Sequence, residues 1–276
     1  MSKKIKNCND PNLARALETN WYGVVAQWAL RPPGEVYKNR SFKRVFTEYP
    51  STNFNRVFLA HLTPENMEEK IKENIDYFKS RKTPFSWWVG PTTKPADLGL
   101  HLEAHGLSHE SKDHKDRPCM AIELDSLDCN IPKPIGLEIE LVENTSTLNK
   151  WVKALIYGFG GGGIDKRIAH WFEAELRVGF DSDLKRFRYL GYLEGKPVST
   201  SLMYLGEGVA GIYCVATLPE ARRRGIGTEM TLHLLKTARD MGYMVGILGS
   251  TDAGYGVYRR IGFEEYWKIG VYEWNE

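Results

Sequence analysis

Apolar and polar positions along the first half of the chain predict alternating helices and strands. Apolar residues recur at helical spacing from Leu13 to Trp28, and Pro32-Pro33 ends that pattern. A strand is predicted over residues 56–62, and Thr63 is the predicted N-cap of the helix that follows it. The remaining predictions are a strand over 84–90, a helix over 98–107 and a strand over 119–124.

The second half repeats this alternation with stronger signals. It predicts a strand over 137–142, helices near 148–156 and 165–177, and three strands over 187–193, 198–205 and 209–217. Short glycine-containing turns join the three strands, which predicts an antiparallel meander. A long helix, a strand over 244–248, a short helix and a last strand complete the pattern.

Length and composition place this pattern in an ordinary globular protein of two domains. The 276 residues exceed the usual size of one compact domain, and a proline-containing stretch without periodicity, residues 125–136, is the predicted linker. We therefore predict domains at 1–130 and 131–276. The 37 basic residues nearly balance the 35 acidic ones, which gives no bulk electrostatic reason to expect nucleic acid or an anionic membrane as a partner.

Cysteines, histidines and the polar amino terminus bear on compartment and metal content. The four cysteines lack paired spacing, and the first residues lack the apolar run of a signal peptide, so we expect a cytoplasmic protein. Residues 108–117 carry two histidines, but their pattern favours a solvated loop over a metal site. We expect no metal.

The segment with the clearest chemistry joins a strand to an amphipathic helix through a basic turn, Arg-Arg-Arg-Gly-Ile-Gly at 222–227. Unsatisfied main-chain NH groups and the helix dipole favour an anion at such a helix start. Gly225 and Gly227 let a pyrophosphate approach those NH groups, and the arginines add charge. The predicted ligand is a diphosphate.

This order of elements resembles the GNAT N-acetyltransferase superfamily. Arg222, Gly225 and Gly227 fill its Arg/Gln-x-x-Gly-x-Gly/Ala signature, and residues 254–266 resemble its second element, a tyrosine four residues before Gly-Phe. The resemblance covers about residues 137–276. It implies an α/β (α+β) GNAT fold, a mixed, mostly antiparallel twisted sheet flanked by helices, preceded here by a smaller GNAT-like α+β domain.

The resemblance also implies a site for acetyl-coenzyme A. The strand before the basic turn would splay from its neighbour and bind the pantetheine arm like an added strand. The implied coenzyme-binding residues are Cys214, Val215, Ala216, Arg222, Arg223, Arg224, Gly225, Ile226, Gly227 and Thr228.

Tyr258 is the implied proton donor to the leaving sulfur. The alternative is that it only packs within the short helix. Cys214 is a second candidate, as an acyl-bearing nucleophile, although a cysteine on a strand usually packs. The sequence singles out no base that deprotonates the amine. Glu207 and Tyr213 are candidates, and the alternatives are that Glu207 is an exposed loop carboxylate and Tyr213 a packed aromatic residue.

Residues 87–107 share a pattern with the region around Tyr258, and alignment of Gly106 with Gly262 puts Leu102 at the position of the tyrosine. We infer a degenerate GNAT-like domain, or an unrelated α+β domain, that covers the acceptor pocket or mediates homodimerisation. The leading hypothesis is acetyl transfer to a primary amine of a small molecule or peptide. A non-catalytic coenzyme A-binding module and an acyltransferase for longer acyl groups are the alternatives.

Overall fold

The structure is a computed structural model that describes residues 4–113, 115–128, 131–160 and 163–275. Its helices are α1 (Leu13–Ala26), α2 (Met67–Ser80), α3 (Leu98–Ala104), α4 (Thr145–Phe159), α5 (Ile164–Val178), α6 (Ile226–Asp240) and α7 (Asp252–Ile261). Its strands are β1 (Glu35–Lys38), β2 (Lys43–Phe46), β3 (Arg56–Phe58), β4 (Phe85–Val89), β5 (Ser108–His109), β6 (Arg117–Glu123), β7 (Leu137–Leu141), β8 (Arg186–Leu193), β9 (Lys196–Gly206), β10 (Val209–Thr217), β11 (Val245–Gly249) and β12 (Glu264–Trp274). Among the described residues, no helix is long and apolar enough to cross a membrane.

These elements form two compact units, and each unit combines two segments that are separate in sequence. One unit combines the residues up to Asn20 with Met120–Glu264, and the other combines Trp21–Cys119 with the segment that starts at Glu265. The units therefore differ in make-up from the linear domains 1–130 and 131–276. The C-terminal segment belongs to the unit formed by Trp21–Cys119 because its strand, β12, pairs with β4 along five residues. Part of the predicted linker, Cys129 and Asn130, lies outside the described residues.

The unit that contains the basic turn is built on the predicted meander. Its strands follow the order β6-β11-β10-β9-β8-β7, in which β7 to β10 are antiparallel neighbours and β10 and β11 run parallel. Two tight turns fix the meander, since Glu194-Gly195 and Glu207-Gly208 both have the positive φ angles that a type I′ hairpin needs. The apolar face of α6 is fully buried against this sheet.

The other unit has a smaller sheet in the order β1-β2-β3-β4-β12, with β5 paired to β12. Here β3 and β4 are parallel, and the apolar faces of α2 and α3 belong to one core with Trp87 of β4. The alignment of the two halves has a counterpart in structure. Gly106 and Gly262 both have positive φ and both end a short helix. The predicted fold class is confirmed: helices flank mixed, mostly antiparallel sheet.

Two details of the first half differ from prediction. The N-cap of α2 is Asn66 rather than Thr63, and the helix begins at Met67, because residues 63–66 form a turn in which the Thr63 NH donates to the Asn66 side chain (2.9 Å). Strands β1 and β2 lie in a stretch for which no strand was predicted. In β1 three of the four residues are exposed, so its sequence lacks the apolar alternation that marks a half-buried strand.

Candidate active site

Strand β10 leaves its neighbour β11 after only two paired residues. The parallel pairing covers Ala210 and Gly211, whereas β10 continues to Thr217. On its other edge the register with β9 shifts between Tyr213 and Ala216, and Cys214 has a φ of 52°. A bulge of this kind inserts an unpaired residue and bends the strand. The result is an open gap beside residues 213–217, which we call the wedge.

The basic turn closes one end of the wedge. Gly225, with a φ of 76°, is the N-cap of α6 and provides no side-chain cap. The first main-chain NH of α6 that donates in the helical i to i−4 pattern is that of Glu229, which donates to the Gly225 carbonyl (3.0 Å). The preceding NH groups of residues 226–228 therefore form a donor set at the positive end of the helix. The space beside Gly227 is open, because a methyl group there would approach only Thr217, at 3.8 Å, and Gly227 lines the cavity described below.

Arg222 has a different environment from that predicted. Its guanidinium donates to the carbonyls of Thr217 (3.1 Å) and Gly158 (2.8 Å), so it braces the end of β10 against the end of α4. Gly158 permits this approach, since a methyl group there would lie 2.9 Å from the Ala216 side chain. Arg223 and Arg224 are exposed beside the turn. Arg223 and Arg224 therefore add to the positive charge beside the turn.

Tyr258 projects from α7 toward the same space. Its ring packs so closely over Gly254 that a methyl group at that glycine would lie 2.7 Å from Cε2 of the ring. Burial, followed by the neighbouring Cys214 thiol, raises the pKa of Tyr258 to about 12. The phenol is therefore protonated throughout the neutral range. Such a group can donate a proton or a hydrogen bond.

One cavity of about 980 Å³ joins these features. Among the predicted residues, the cavity is lined by Val215, Ala216, Arg222, Arg223, Gly225, Ile226, Gly227, Thr228 and Tyr258. Cys214 and Arg224 are not part of its lining. Residues that the sequence interpretation did not single out complete it: Gly158, Phe159, Thr217, Ala221, Thr251, Ala253, Gly254, Val257 and Arg260.

The two candidate bases differ in position. Glu207 is exposed at the β9–β10 turn, seven positions before Cys214, which corresponds to roughly 20 Å of extended chain. It is too distant to act at the wedge. Tyr213 lies at the apex of the wedge, and its hydroxyl donates to the buried Asn20 side chain (2.6 Å).

Metal ligands do not gather in the part of the chain that the structure describes, where no three His, Cys, Asp or Glu side chains could hold an ion together. His114 of the polar loop 108–117 and Gly161-Gly162, in the glycine-rich stretch 158–163 that precedes α5, lie outside the described residues. A metal-free reaction stays a prediction.

Residues 164–263 match the family model described as "Acetyltransferase (GNAT) family". The chain contains a GNAT domain. The matched segment includes β10, the basic turn and α7, so it covers the walls of the wedge. Comparison with curated proteins gives no match.

Solved structures extend the likeness from the GNAT domain to the whole chain. A GCN5-related N-acetyltransferase from Kribbella flavida shares 16% identity with a TM-score of 0.68, covering 95% of this chain and 96% of that one. A tandem GNAT protein from the clavulanic acid biosynthesis pathway shares 14% identity with a TM-score of 0.60, covering 99% of this chain and 98% of that one. A GCN5-related N-acetyltransferase from Sphaerobacter thermophilus shares 16% identity with a TM-score of 0.58, covering 84% of this chain and 75% of that one. At such identities the likeness shows the fold alone, which is a tandem GNAT fold.

Proposed function

We propose that the GNAT domain transfers an acetyl group from acetyl-coenzyme A to a primary amine by direct attack on the thioester. A single observation carries this proposal. The open edge of β10, the uncapped start of α6 and the Tyr258 phenol all line one cavity. A thioester carrier has a diphosphate, an amide-containing arm and a sulfur, in that order, and the three features offer a partner for each.

The residues present fit the carrier. The NH groups of residues 226–228 would hold the diphosphate, and the exposed Arg223 and Arg224 would add charge. The arm would add to β10 along Cys214, Val215 and Ala216, where pairing with β11 has ended. In this arrangement Arg222 supports the site through Gly158 and Thr217, and Thr228 adds an amide or hydroxyl at the first turn.

Tyr258 would act on the departing sulfur. Its pKa of about 12 exceeds the value of about 8.5 for a free thiol, so complete proton transfer to a thiolate is uphill. Donation of a hydrogen bond as the carbon–sulfur bond breaks is therefore the main contribution of the phenol. A hydrogen bond aimed at developing charge contributes most in a site that excludes water.

Calorimetry with coenzyme A, followed by thiol release from acetyl-coenzyme A with a panel of amines, tests the proposal. Tyr258→Phe should slow turnover about tenfold to a thousandfold and leave coenzyme affinity nearly unchanged. Cys214→Ser is the matched control. A covalent acyl-cysteine route would abolish turnover in that variant, whereas direct attack would survive.

The rivals predict other outcomes of these measurements. Coenzyme binding without turnover on any amine would favour a non-catalytic binding module. Faster turnover with longer acyl-coenzyme A substrates would favour an acyltransferase of different chain length. Absence of coenzyme binding by the folded protein would end the proposal.

We further propose that each chain binds one carrier, in the GNAT domain. The unit that contains β3 and β4 shares two features with the wedge. Strands β3 and β4 pair in parallel, and Leu59, just after β3, has a left-handed φ. There the chain fills its own gap: Lys94 NH donates to Ala60 (2.9 Å), and Leu62 NH donates to Lys94 (2.8 Å). The calorimetric stoichiometry should be one carrier per chain. A value of two would refute this part.

A further inference from the structure

Three successive hydroxyl residues, Ser199, Thr200 and Ser201, lie on β9 with no exposed surface. Burial of a hydroxyl costs free energy unless it forms a hydrogen bond. Two of the three face the irregular part of β10. The Thr200 hydroxyl donates to the Cys214 carbonyl (2.8 Å), and the Ser199 hydroxyl donates to the Ala216 carbonyl (2.6 Å).

The Thr200 bond replaces a ladder bond that the bulge removes. Thr200 is opposite Ala216 and Leu202 is opposite Tyr213, so two residues of β10 face a single residue of β9. Main-chain carbonyls left inside such a bulge need another donor, because buried carbonyls are almost always paired. The Thr200 side chain provides it for Cys214 from the neighbouring strand, and the Ser199 side chain holds Ala216, the first paired residue after the bulge.

The bonds also fix which way the bulged peptides face. The carbonyls of Cys214 and Ala216 are both held toward β9. Val215, between them, lines the cavity, as does Ala216. Ser199 additionally pairs with the Thr217 hydroxyl (3.1 Å), which continues the same row to the end of the strand.

We infer that Ser199 and Thr200 are positioning residues for the carrier arm. They hold the bulge of β10 so that its free edge presents main-chain groups to the pantetheine amides, without touching the carrier themselves. This inference rests on the proposed function. It predicts that these side chains of β9 affect the affinity for the arm of the carrier. They should not affect the affinity for its diphosphate, for which the proposed site is the start of α6.

Two ligands separate the arm from the diphosphate. Coenzyme A uses both regions, whereas 3′-phosphoadenosine 5′-diphosphate lacks the pantetheine arm. Thr200→Val removes the hydroxyl and keeps the branched shape. It should raise the Kd of coenzyme A about tenfold, the size of one lost hydrogen bond, and leave the Kd of the nucleotide unchanged.

The strand provides its own control. Ser201 is as buried as its neighbours, but within the described residues its hydroxyl has no hydrogen-bond partner. Ser201→Ala should therefore leave both Kd values unchanged. Thr200→Ser, which restores the hydroxyl, should return coenzyme A binding to within about twofold of the wild type. Ser199→Ala tests the second bond independently, should Thr200→Val fold poorly.

A merely structural role for these hydroxyls predicts a different pattern. It would lower the melting temperature of Thr200→Val while both ligands bound the folded protein as before, and that result would overturn the inference. Equal weakening of both ligands would also overturn it, because the effect would then reach the phosphate region. If the wild type bound neither ligand, the proposed function would fail first and the inference with it.

Discussion

Gly254 offers a test in which stability and rate should change in opposite directions. It lies in the first turn of α7, and a methyl group there would lie 2.7 Å from Cε2 and 3.4 Å from Cζ of Tyr258. Ordinary contact needs about 3.4 Å or more between carbons. In Gly254→Ala the ring must therefore move by about 0.7 Å, and the hydroxyl beyond it by about 1 Å.

The size of the effect follows from that displacement. A misplacement of about 1 Å at a reacting group can cost up to about a hundredfold in rate. We expect kcat of Gly254→Ala to fall about tenfold to a hundredfold, with the Kd of coenzyme A nearly unchanged. The half-buried ring can move into the cavity, so alanine should keep much of its helix advantage of up to about 1 kcal/mol over glycine.

Gly256 provides the control on the same helix. A methyl group at Gly256 meets only the flexible end of Arg260, at 3.5 Å. Gly256→Ala should raise the free energy of unfolding by up to about 1 kcal/mol and leave kcat unchanged. Steady-state kinetics and urea unfolding of the two variants measure both quantities. If Tyr258→Phe slows turnover but Gly254→Ala does not, the packing of the ring does not position the phenol.

Three further predictions concern charge and protonation. Burial opposes the charge of Glu175, but the Arg186 and Arg188 guanidiniums outweigh it and lower the pKa of this carboxyl to about 2. Relative to about 4.3 in the unfolded chain, that corresponds to about 3 kcal/mol of stability, present above pH 4.3 and lost as the pH falls toward 2. Glu175→Gln should lower the free energy of unfolding at pH 7 by about 3–5 kcal/mol in urea titrations, and the difference from wild type should shrink at pH 3; a difference independent of pH would contradict the ion-pair account. Arg223→Ala should raise the Kd of coenzyme A about twofold to fivefold at low salt and less at high salt, and an equal loss at both would argue against a charge contact. Since the pKa of Tyr258 is about 12, kcat should show no falling limb between pH 8 and 10.5, and a limb near pH 10 that disappears in Tyr258→Phe would refute the effect of burial.

The sequence predicted most of the GNAT domain because its signals are local. Glycine turns and apolar runs located β8, β9 and β10 to within two residues, and the basic turn located the start of α6. The first half was harder to predict. Strand β1 pairs through its main chain with mostly exposed side chains, so composition gives no sign of it.

The site was predictable only as far as its motif extends. Arg222 fits the signature, but its bonds to Thr217 and Gly158 depend on where α4 ends in space. In the sequence, Ser199 and Thr200 have no feature that distinguishes them from other residues of a strand. Their importance depends on a bulge in the next strand, and no local pattern in β9 encodes the register of its neighbour.

The two parallel strand pairs show why a shared fold does not give a shared site. Leu59 and Cys214 have nearly the same left-handed φ, 55° and 52°, and each follows the last parallel pair of its strand. Beyond Cys214 the free edge of the main chain lines a cavity, whereas beyond Leu59 it is bonded to Lys94. Main-chain groups inside a protein need partners, and a segment of the same chain supplies them at an effective concentration that a dissolved carrier cannot match. Competition for one strand edge, decided by the length and course of the segment after β4, is therefore the physical basis for the single carrier site that we propose.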